Sequence, residues 1–556
     1  MATQVFDWIR HHANRAPDTT ALADIRSDRN WSYSELNHRI DQLTASLQQS
    51  LGIERGDRIG VLAENSSDIF EIQFACARLG AVFLPLNWRL TVPELEFIVN
   101  DASPKLLFYS RQFEANATAI KNLCGIQELL LLDNGVADSP YENTLTQAPT
   151  GYTEATLNQD DLYAILYTSG TTGLPKGAMI THGMVFYNAV NIGGPALITP
   201  ESKHLSVLPL FHIAGLNIFS NPVFHAGGTV VVTQTFDPAE SLNLLSDPGH
   251  AFTHFFGVPA NYLFISQQPA FADADLSHLT VCGVGGAPCA LSILEAFRPK
   301  GVDVQQGYGM TETTAGATLN YDNNNRIGSV GKPFEGSGLR IDKPNENGDG
   351  EIQFNGRHIM AGYYRDPEAT AETMTEDGWL KSGDLGRIDS DGYVYVTGRL
   401  KEIYVSSAGK NIAPLVIEET MKSIPMISQC MLIGDNRKYC SALMTLDVGA
   451  ILRDVHGLDG ATEVPKDPSE QLAKLAELGH DLSEYTAVGS STHAELEAAV
   501  DQLNQKFSNP EQIKKFTVLP RDLNVDHGEL TPTLKIRRKQ IRENWAAEIE
   551  AMYADA

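Results

Sequence analysis

The segment YTSGTTGLPKG, residues 167–177, combines several hydroxyl side chains with glycines and one lysine. Glycines let backbone N–H groups approach an anion closely, hydroxyl groups donate further hydrogen bonds, and the lysine adds a positive charge. A P-loop needs Gly-Lys followed by Ser or Thr, whereas here Lys176 follows Pro175 and precedes Gly177. The segment therefore predicts a phosphate loop of another type, and a mobile surface linker is the less favoured alternative. The residues predicted to bind phosphate are Thr168, Ser169, Gly170, Thr171, Thr172, Gly173 and Lys176.

Segments with strand and helix character alternate along the first part of the chain, and these elements must position the loop. Apolar residues from Leu36 to Leu47 keep helical spacing, and RIGVLA at 58–63 then has the composition of a buried strand. This alternation is typical of a layered α/β fold with a largely parallel sheet, whose strand ends carry ligand-binding loops. The apolar AILY at 164–167 predicts such a strand directly before the phosphate loop.

After about residue 350 the sequence alternates apolar and polar residues with Asp-Gly and Gly-Arg turns, which predicts antiparallel hairpins. Farther on, NIAPLVIEETMKSI predicts a helix with a proline in its first turn, and RRKQIRENWAAEIEAMYA predicts a C-terminal helix. The stretch 452–490 is interpreted as a surface elaboration. We predict an α/β protein with three parts: a large N-terminal layered α/β domain with a β-rich subdomain at 1–398, a hinge at 399–401, and a small α+β C-terminal domain at 402–556.

The composition excludes several classes of partner. Lys+Arg 42 against Asp+Glu 69 gives a formal net charge of -27, and so acidic a surface repels nucleic acid and anionic membranes. The start, MATQVFDWIR, lacks a basic region followed by an apolar run, and no uninterrupted apolar stretch of about 18 residues occurs. We therefore expect neither a signal peptide nor a transmembrane segment. The six cysteines are scattered, which predicts reduced thiols in a cytoplasmic protein.

The phosphate loop and four later segments resemble, in the expected order, the motifs of the adenylate-forming superfamily. This superfamily includes acyl-CoA synthetases, coumarate-CoA ligases and beetle luciferases. The later segments are QGYGMTET at 306–313, SGDLG at 382–386, GRLKEIYVSSAGKNIAP at 398–414 and LTPTLKIRR at 530–538. The resemblance implies an enzyme that uses ATP, Mg²⁺ and coenzyme A. Such an enzyme joins a carboxylic acid to AMP with release of pyrophosphate, and then transfers the acyl group to CoA.

The resemblance also implies roles for five polar residues. Two like charges about 4 Å apart cost roughly 4 kcal/mol at an effective dielectric near 20, so a cation must cover the encounter of carboxylate and α-phosphate. By its motif, Lys535 is that catalytic cation. Glu312 would hold Mg²⁺ and Thr311 would donate to the α-phosphate. Asp384 would accept hydrogen bonds from the ribose hydroxyls, with Arg399 as a second clamp.

Further residues follow from the same motifs. Those implied to contact the nucleotide are Gly286, Ala287, Pro288, Gln306, Gly307, Tyr308 and Gly309. Those implied to border the acid are His212, Ala214, Gly215, Gly285 and Gly309, with His212 as a catalytic wall between acyl pocket and nucleotide. Without the resemblance, Glu312 could cap a helix, Asp384 could be a turn residue, Lys535 could lie on a solvated helix face, and His212 could be a core residue.

Adenylation needs Lys535 inside the site, whereas thioester formation needs the same space for a pantetheine arm. The family resolves this conflict by rotating the small, mobile C-terminal domain, and the corresponding hinge residue here is Lys401. Rotation would bring SSAGKN to the site, where Gly409 would let the thiol tail pass in a tunnel.

The acid itself is less well defined by the sequence. PLNWRLTVPELEFIVND and PLFHIAGLN resemble ligases of medium-chain fatty and aryl acids, whereas GKNIAPLVIEE and GELTPTLKIRRKQI are similar to long-chain enzymes. Because the acyl pocket lies in the large domain, we predict a medium-chain fatty or aryl acid. A long-chain acyl-CoA synthetase, an acyl-AMP-forming enzyme that supplies a carrier protein, and a binder without catalysis are the alternatives. The oligomeric state is left open, with a homodimer as one option.

Overall fold

The computed structural model describes residues 4–133, 136, 138–168, 174–321, 325–405, 411–435, 437–458, 464–465, 468–524, 526–530 and 536–554. The strands within these residues are β1 (Thr20–Asp24), β2 (Arg29–Ser32), β3 (Arg58–Leu62), β4 (Val82–Pro85), β5 (Leu106–Ser110), β6 (Glu128–Leu132), β7 (Leu162–Thr168), β8 (Lys176–Thr181), β9 (Lys203–Ser206), β10 (Thr229–Val232), β11 (His254–Gly257), β12 (Val281–Val284), β13 (Gln305–Tyr308), β14 (Thr318–Leu319), β15 (Lys332–Pro333), β16 (Ser337–Asp342), β17 (Gly350–Gly356), β18 (Leu380–Ile388), β19 (Val394–Arg399), β20 (Tyr404–Val405), β21 (Asn411–Ile412), β22 (Ile427–Ile433), β23 (Cys440–Leu446) and β24 (Ile513–Val518).

The α-helices in the same residues are α1 (Trp8–Arg15), α2 (Tyr33–Ala45), α3 (Ser67–Leu79), α4 (Val92–Ala102), α5 (Glu114–Cys124), α6 (Pro140–Thr146), α7 (His182–Gly193), α8 (Ile213–Asn217), α9 (Ser220–Ala226), α10 (Pro238–Ser246), α11 (Pro259–Ser266), α12 (Leu291–Phe297), α13 (Pro367–Thr373), α14 (Pro414–Met421), α15 (Val448–Ala450), α16 (Pro468–Glu477), α17 (Leu482–Thr486), α18 (Ser491–Asn504), α19 (Arg538–Asn544) and α20 (Ala546–Ala551). None of these helices is long and apolar enough to cross a membrane.

Two mostly parallel sheets form the body of the large domain. One has the order β6-β5-β3-β4-β7-β8 and is parallel except for the antiparallel pair β7 and β8. The other has the order β2-β1-β10-β9-β11-β12-β13-β14-β15, is parallel from β1 to β13, and has antiparallel strands at both edges. Helices pack on these sheets, so the predicted layered α/β architecture is confirmed. Buried side chains from both sheets join one large apolar cluster.

The hairpins predicted after about residue 350 form an antiparallel sheet with the order β16-β17-β18-β19. The sheet begins earlier than predicted, because β16 starts at Ser337. This sheet is the β-rich subdomain.

The C-terminal part has its own apolar core around β22, β23 and β24. The stretch 452–490, interpreted as a surface elaboration, contributes the buried side chains of Leu452, Leu475 and Tyr485 to this core. That interpretation is therefore wrong for these three residues, whereas Val455, Leu472, Leu478 and Val488 are exposed. The C-terminal segment forms two helices, α19 and α20, separated at Trp545, whose indole N–H donates to buried Glu529 at 2.9 Å.

Candidate active site

The ends of the predicted phosphate loop lie side by side. Thr168 closes β7 and is paired with Lys176, the first residue of β8, and the Thr168 hydroxyl donates to the Lys176 carbonyl at 3.4 Å. Ser169, Gly170, Thr171, Thr172 and Gly173 lie outside the described residues. A Cβ at Gly177 would lie 2.7 Å from the Ile165 side chain and 3.0 Å from the Tyr167 ring. The glycine after the lysine is therefore required by the packing of the strand pair.

Lys176 reaches toward Glu312 through an intervening aromatic ring. Its Nζ lies 5.3 Å from the centroid of the Tyr363 ring. The Tyr363 hydroxyl in turn donates to Glu312 Oε1 at 2.7 Å. Burial and the neighbouring carboxylate both raise the pKa of Tyr363, so its hydroxyl stays protonated and acts as a donor at neutral pH. The structure thus joins two residues that the sequence analysis had treated separately.

Glu312 lies in a short 3-10 helix, Thr311–Thr313, and is only 6% exposed. Its backbone carbonyl accepts a hydrogen bond from the Met360 N–H at 2.8 Å. The turn before it is unusually close-packed, because a Cβ at Gly309 would lie 1.9 Å from the Ala315 carbonyl oxygen. Gly309 therefore allows the chain to fold back on itself, which is a reason for glycine other than leaving room for an acid.

A second polar group forms where β13 meets the antiparallel sheet. Asp384 and Arg399 are opposite each other in β18 and β19, with Arg399 Nε 3.3 Å from Asp384 Oδ1. The Tyr308 hydroxyl donates to Asp384 Oδ2 at 2.6 Å. Burial and the Asp384 charge raise the pKa of Tyr308 well above its usual range, so this hydroxyl also remains a donor. Tyr308, Asp384 and Arg399, all predicted to bind the nucleotide, are thus in direct contact.

The remaining predicted nucleotide residues lie at the ends of two neighbouring parallel strands. β12 and β13 pair in parallel. The segment from Gly285 to Pro288 follows β12, while Gln306 to Tyr308 form the end of β13 and Gly309 follows it, so both segments lie at the same edge of the sheet. The Gln306 carbonyl accepts from the Asn320 backbone at 3.0 Å. A Cβ at Gly285 would lie 3.0 Å from the Gly307 carbonyl oxygen, and Gly286 has a φ of +79°. Ala287 and Pro288 continue this segment.

The predicted acyl-pocket residues are divided between two environments. His212 precedes α8 and is half-buried, with its ring 4.8 Å from that of Phe211. Ala214 packs against an apolar cluster that contains Phe256, and the Phe256 ring also lies 3.1 Å from the Cβ position of Gly285. Gly215 instead faces backbone, since its Cβ would lie 2.4 Å from the Pro209 carbonyl oxygen.

The residues predicted to serve the mobile domain are only partly described. Lys401 is exposed in the turn Leu400–Glu402, while Gly409 and Lys535 lie outside the described residues. Leu530 and Ile536, the described residues on either side of residues 531–535, form an antiparallel bridge.

Directly after that bridge, Arg538 forms a bidentate ion pair with Glu418 of α14, with both contacts at 2.6 Å. Its Nε also donates to Glu402 at 3.0 Å. These contacts connect the base of the Lys535 segment to the turn that contains Lys401.

Tyr363 and Phe256 are the contacts that sequence reasoning missed. Tyr363 follows Gly362 in an irregular segment, and its neighbours in sequence give no periodic signal. Phe256 is one apolar residue in the fully buried strand β11, and nothing in its sequence distinguishes it from a core residue. In both cases the informative contact is with a residue far away in the chain. Tyr363 contacts Glu312, which is 51 positions away, and Phe256 contacts the Cβ position of Gly285, which is more than 25 positions away.

This arrangement could hold a polyanion next to a polyhydroxyl group. Lys176 provides a cation that packs on the Tyr363 ring, and Tyr363 in turn donates to the buried Glu312 carboxylate. The group of Tyr308, Asp384 and Arg399 provides acceptors and donors, and its Tyr308 lies four residues before Glu312 in the chain. Among the described residues no three His, Cys, Asp or Glu side chains form a metal cluster.

Comparisons with known proteins agree on one class of enzyme. The family described as "AMP-binding enzyme" matches residues 9–364. A feruloyl-CoA synthase of an Amycolatopsis species is 34% identical over 77% of this chain and 84% of its own. A long-chain-fatty-acid–CoA ligase of Mycobacterium bovis is 30% identical over 91% of this chain and 89% of its own. The crystal structure of ATP-bound MatB from Rhodopseudomonas palustris matches with a TM-score of 0.78 at 26% identity, covering 97% of this chain and 98% of that one.

Proposed function

The chain belongs to the AMP-binding enzyme family and is an AMP-forming acid–CoA ligase, and on that premise we propose how its residues divide the two half-reactions. In the first half-reaction an aryl or fatty acid and ATP give acyl-AMP and pyrophosphate. In the second, CoA gives acyl-CoA and AMP. One observation supports the assignment of residues: the two groups of contacts meet at the segment 306–313. Glu312 of this segment is bound by Tyr363, on which Lys176 packs. Tyr308 of the same segment binds Asp384.

We assign ATP to this segment. Lys176 and the Thr168 hydroxyl would hold the phosphates together with the backbone of the adjoining loop. Asp384 would accept hydrogen bonds from the ribose hydroxyls, and its contacts with Tyr308 and Arg399 support this role because they hold the carboxylate in place. The segments Gly286–Pro288 and Gln306–Gly309 would border the adenine, since both leave the same sheet edge.

Mg²⁺ fits the donor set at Glu312. One carboxylate oxygen accepts from Tyr363, and the other is left to face a metal held mainly by phosphate oxygens, as Mg²⁺ prefers. When bound, the ion would neutralise charge on the phosphates. Thr311 would donate to the α-phosphate from the same short helix.

Tyr363→Phe should weaken the orientation of Glu312 and raise the Mg²⁺ concentration needed for half-maximal ATP–pyrophosphate exchange by about tenfold, because one hydrogen bond to a charged group is lost. The matched control is Tyr364→Phe, which removes a hydroxyl from a neighbouring ring that packs on Arg365 at 5.1 Å. Equal Mg²⁺ requirements for the two variants would contradict a positioning role for Tyr363.

We propose a medium-chain fatty or aryl acid as the carboxylate substrate. The aromatic wall at Phe256 and the small side chain at Ala214 support a pocket suited to a ring or a moderate alkyl chain. His212 and Gly285 would border the same space, whereas the close backbone contacts of Gly215 and Gly309 give these two glycines a mainly structural task. The name of the feruloyl-CoA synthase relative supports an aryl acid, and that of the Mycobacterium relative supports a fatty acid.

We further propose that residues 1–398 and 402–556 are separate domains joined by a hinge at 399–401. In support, the apolar clusters of the large domain contain no residue beyond Val396, while those of the C-terminal part begin at Tyr404 among the described residues. Lys535 would enter the site for adenylation, and rotation about Lys401 would bring Gly409 to the CoA tunnel for thioester formation. A cytoplasmic location belongs to the same proposal, since all six cysteines have free thiols.

A panel of acids tests the function directly. Fatty acids from butyrate to palmitate, benzoates and cinnamates are each supplied with ATP, Mg²⁺ and CoA, and AMP release is followed. We expect CoA-dependent AMP release with aryl or medium-chain acids. Release that needs no CoA would favour the acyl-AMP-forming alternative, and strict preference for palmitate would favour the long-chain one.

A further inference from the structure

A cavity of about 300 Å³ lies apart from the site described above. It is enclosed by the start of α1, by α3, by the segment before β7 and by the first turns of α7. Lys176 begins β8, and His182 lies six residues later, directly after its end, so a rise of about 3.3 Å per strand residue separates the cavity from the phosphate loop by roughly 20 Å. Its size is at the lower end of ligand pockets.

The walls of this cavity are mainly aromatic. Phe6, Trp8, Phe74 and Phe186 line it together with Tyr163. Phe6 is 54% exposed, whereas Trp8 and Phe74 are buried, so Phe6 marks the mouth of the cavity and the others its interior. Aromatic walls favour an aromatic guest, because contacts between ring edges and ring faces add binding free energy beyond that of the apolar area they bury.

The charged groups beside the cavity are engaged with one another. Arg78 contacts Asp7 and Asp41, both at 2.8 Å. Arg10 contacts Glu154 at 2.7 Å. Each charged side chain in the described lining thus has an opposite charge as its partner, so the lining offers no cation or anion to a charged guest. A carboxylate or a nucleotide would lose its hydration there without compensation.

Two buried polar atoms in the lining, the Tyr163 hydroxyl oxygen and Nε2 of His182, have no hydrogen-bond partner among the described residues, and the second faces a guest from α7. His182 is 7% exposed, and its Nε2 has no hydrogen-bond partner among the described residues. Burial lowers the pKa of His182 to about 4, so the ring is neutral at physiological pH and its nitrogens can donate or accept one hydrogen bond each. The ring lies edge-on to Tyr163, with centroids 5.0 Å apart. A buried polar atom without a partner is costly, and a guest with one polar group removes that cost.

We propose that this cavity binds a small uncharged aromatic molecule that carries one hydrogen-bonding group, as phenols do, with that group on Nε2 of His182. The guest differs in charge from the carboxylic acid substrate and occupies a site separate from the acyl pocket. The helix α7, which lines the cavity with its first turns, also contacts the chain that follows the Thr311–Thr313 helix, because Asn188 on α7 accepts from the backbone N–H of Gly316 at 3.5 Å.

Binding of 4-fluorophenol to the full-length protein, followed by fluorine NMR, tests the proposal. Ala77→Phe fills the cavity, and His182→Phe removes Nε2 while keeping an aromatic ring. We expect each variant to weaken binding by about tenfold or more. Fluorobenzene, which lacks the hydroxyl, should bind the native protein less tightly than 4-fluorophenol. Melting temperatures show whether each variant is folded. Because the two variants change different atoms of the cavity, one folded variant is sufficient to test the proposal.

Ala214→Phe is the matched control, because it fills the proposed acyl pocket instead. It should leave 4-fluorophenol binding unchanged while impairing acid turnover. The proposal is overturned if the native protein does not bind 4-fluorophenol at millimolar concentration. It is also overturned if Ala214→Phe abolishes binding while Ala77→Phe and His182→Phe retain it.

Discussion

Lys535→Ala is expected to reduce acid-dependent ATP–pyrophosphate exchange by about 100- to 1,000-fold, the usual cost of removing one preorganised group that stabilises charge in the transition state. The carboxylate and the α-phosphate repel each other by roughly 4 kcal/mol at about 4 Å, and no other cation is assigned to that encounter. Thioester formation from supplied acyl-AMP should be largely spared, because in the proposed rotation the lysine would have left the site by then. The measurement compares both half-reactions on one preparation.

Gly409→Leu provides the reciprocal control for Lys535→Ala. Its side chain should obstruct the thiol tunnel, so thioester formation falls while ATP–pyrophosphate exchange is kept. If both variants lost the two half-reactions equally, one lysine and one glycine could not serve separate steps, and the proposed alternation of the small domain would be refuted.

Gly309→Ala is expected to cause the second largest loss of adenylation rate among the predicted variants. Its Cβ would lie 1.9 Å from the Ala315 carbonyl oxygen and 2.8 Å from the carbonyl carbon, both backbone atoms that cannot rotate away. The turn must open, which displaces Tyr308 on one side and Glu312 on the other. A displacement of about 1 Å costs on the order of 100-fold in rate, and overpacking costs about 1–3 kcal/mol of stability.

Adenylation rate and melting temperature should therefore both fall in Gly309→Ala. Gly193→Ala is the matched control, because a Cβ at this helical glycine has no atom within 4 Å. Alanine is a better helix former than glycine, so that variant should be as stable as the native protein or slightly more so. A Gly309→Ala protein with native activity would show that the turn has another conformation available.

The sequence was sufficient to predict the layered fold, because strand and helix patterns alternate without long gaps and each pattern is local. It also identified Asp384 and Arg399 through their motifs. That these two residues lie opposite each other depends on the register of β18 and β19, which includes a bulge between Leu385 and Gly386. Register of this kind is set by the whole hairpin and is not visible in the motifs.

The role of the glycines shows a different limit of sequence reasoning. The resemblance implied that Gly215, Gly285 and Gly309 all border the acid. The structure shows that the space beside Gly215 and Gly309 is already filled by backbone oxygens. A glycine that creates a pocket and a glycine that permits backbone contact look alike in a sequence, and only the neighbouring atoms distinguish them.

The contacts of Arg538 bear on how the C-terminal part would move before thioester formation. Its three contacts with Glu402 and Glu418 clamp the chain that follows the Leu530 and Ile536 bridge onto the residues directly after Lys401. In the proposed rotation about Lys401, the residues directly after the hinge and the chain from Ile536 onward would therefore turn together as one unit, and α19 would follow any change of backbone torsion at the hinge.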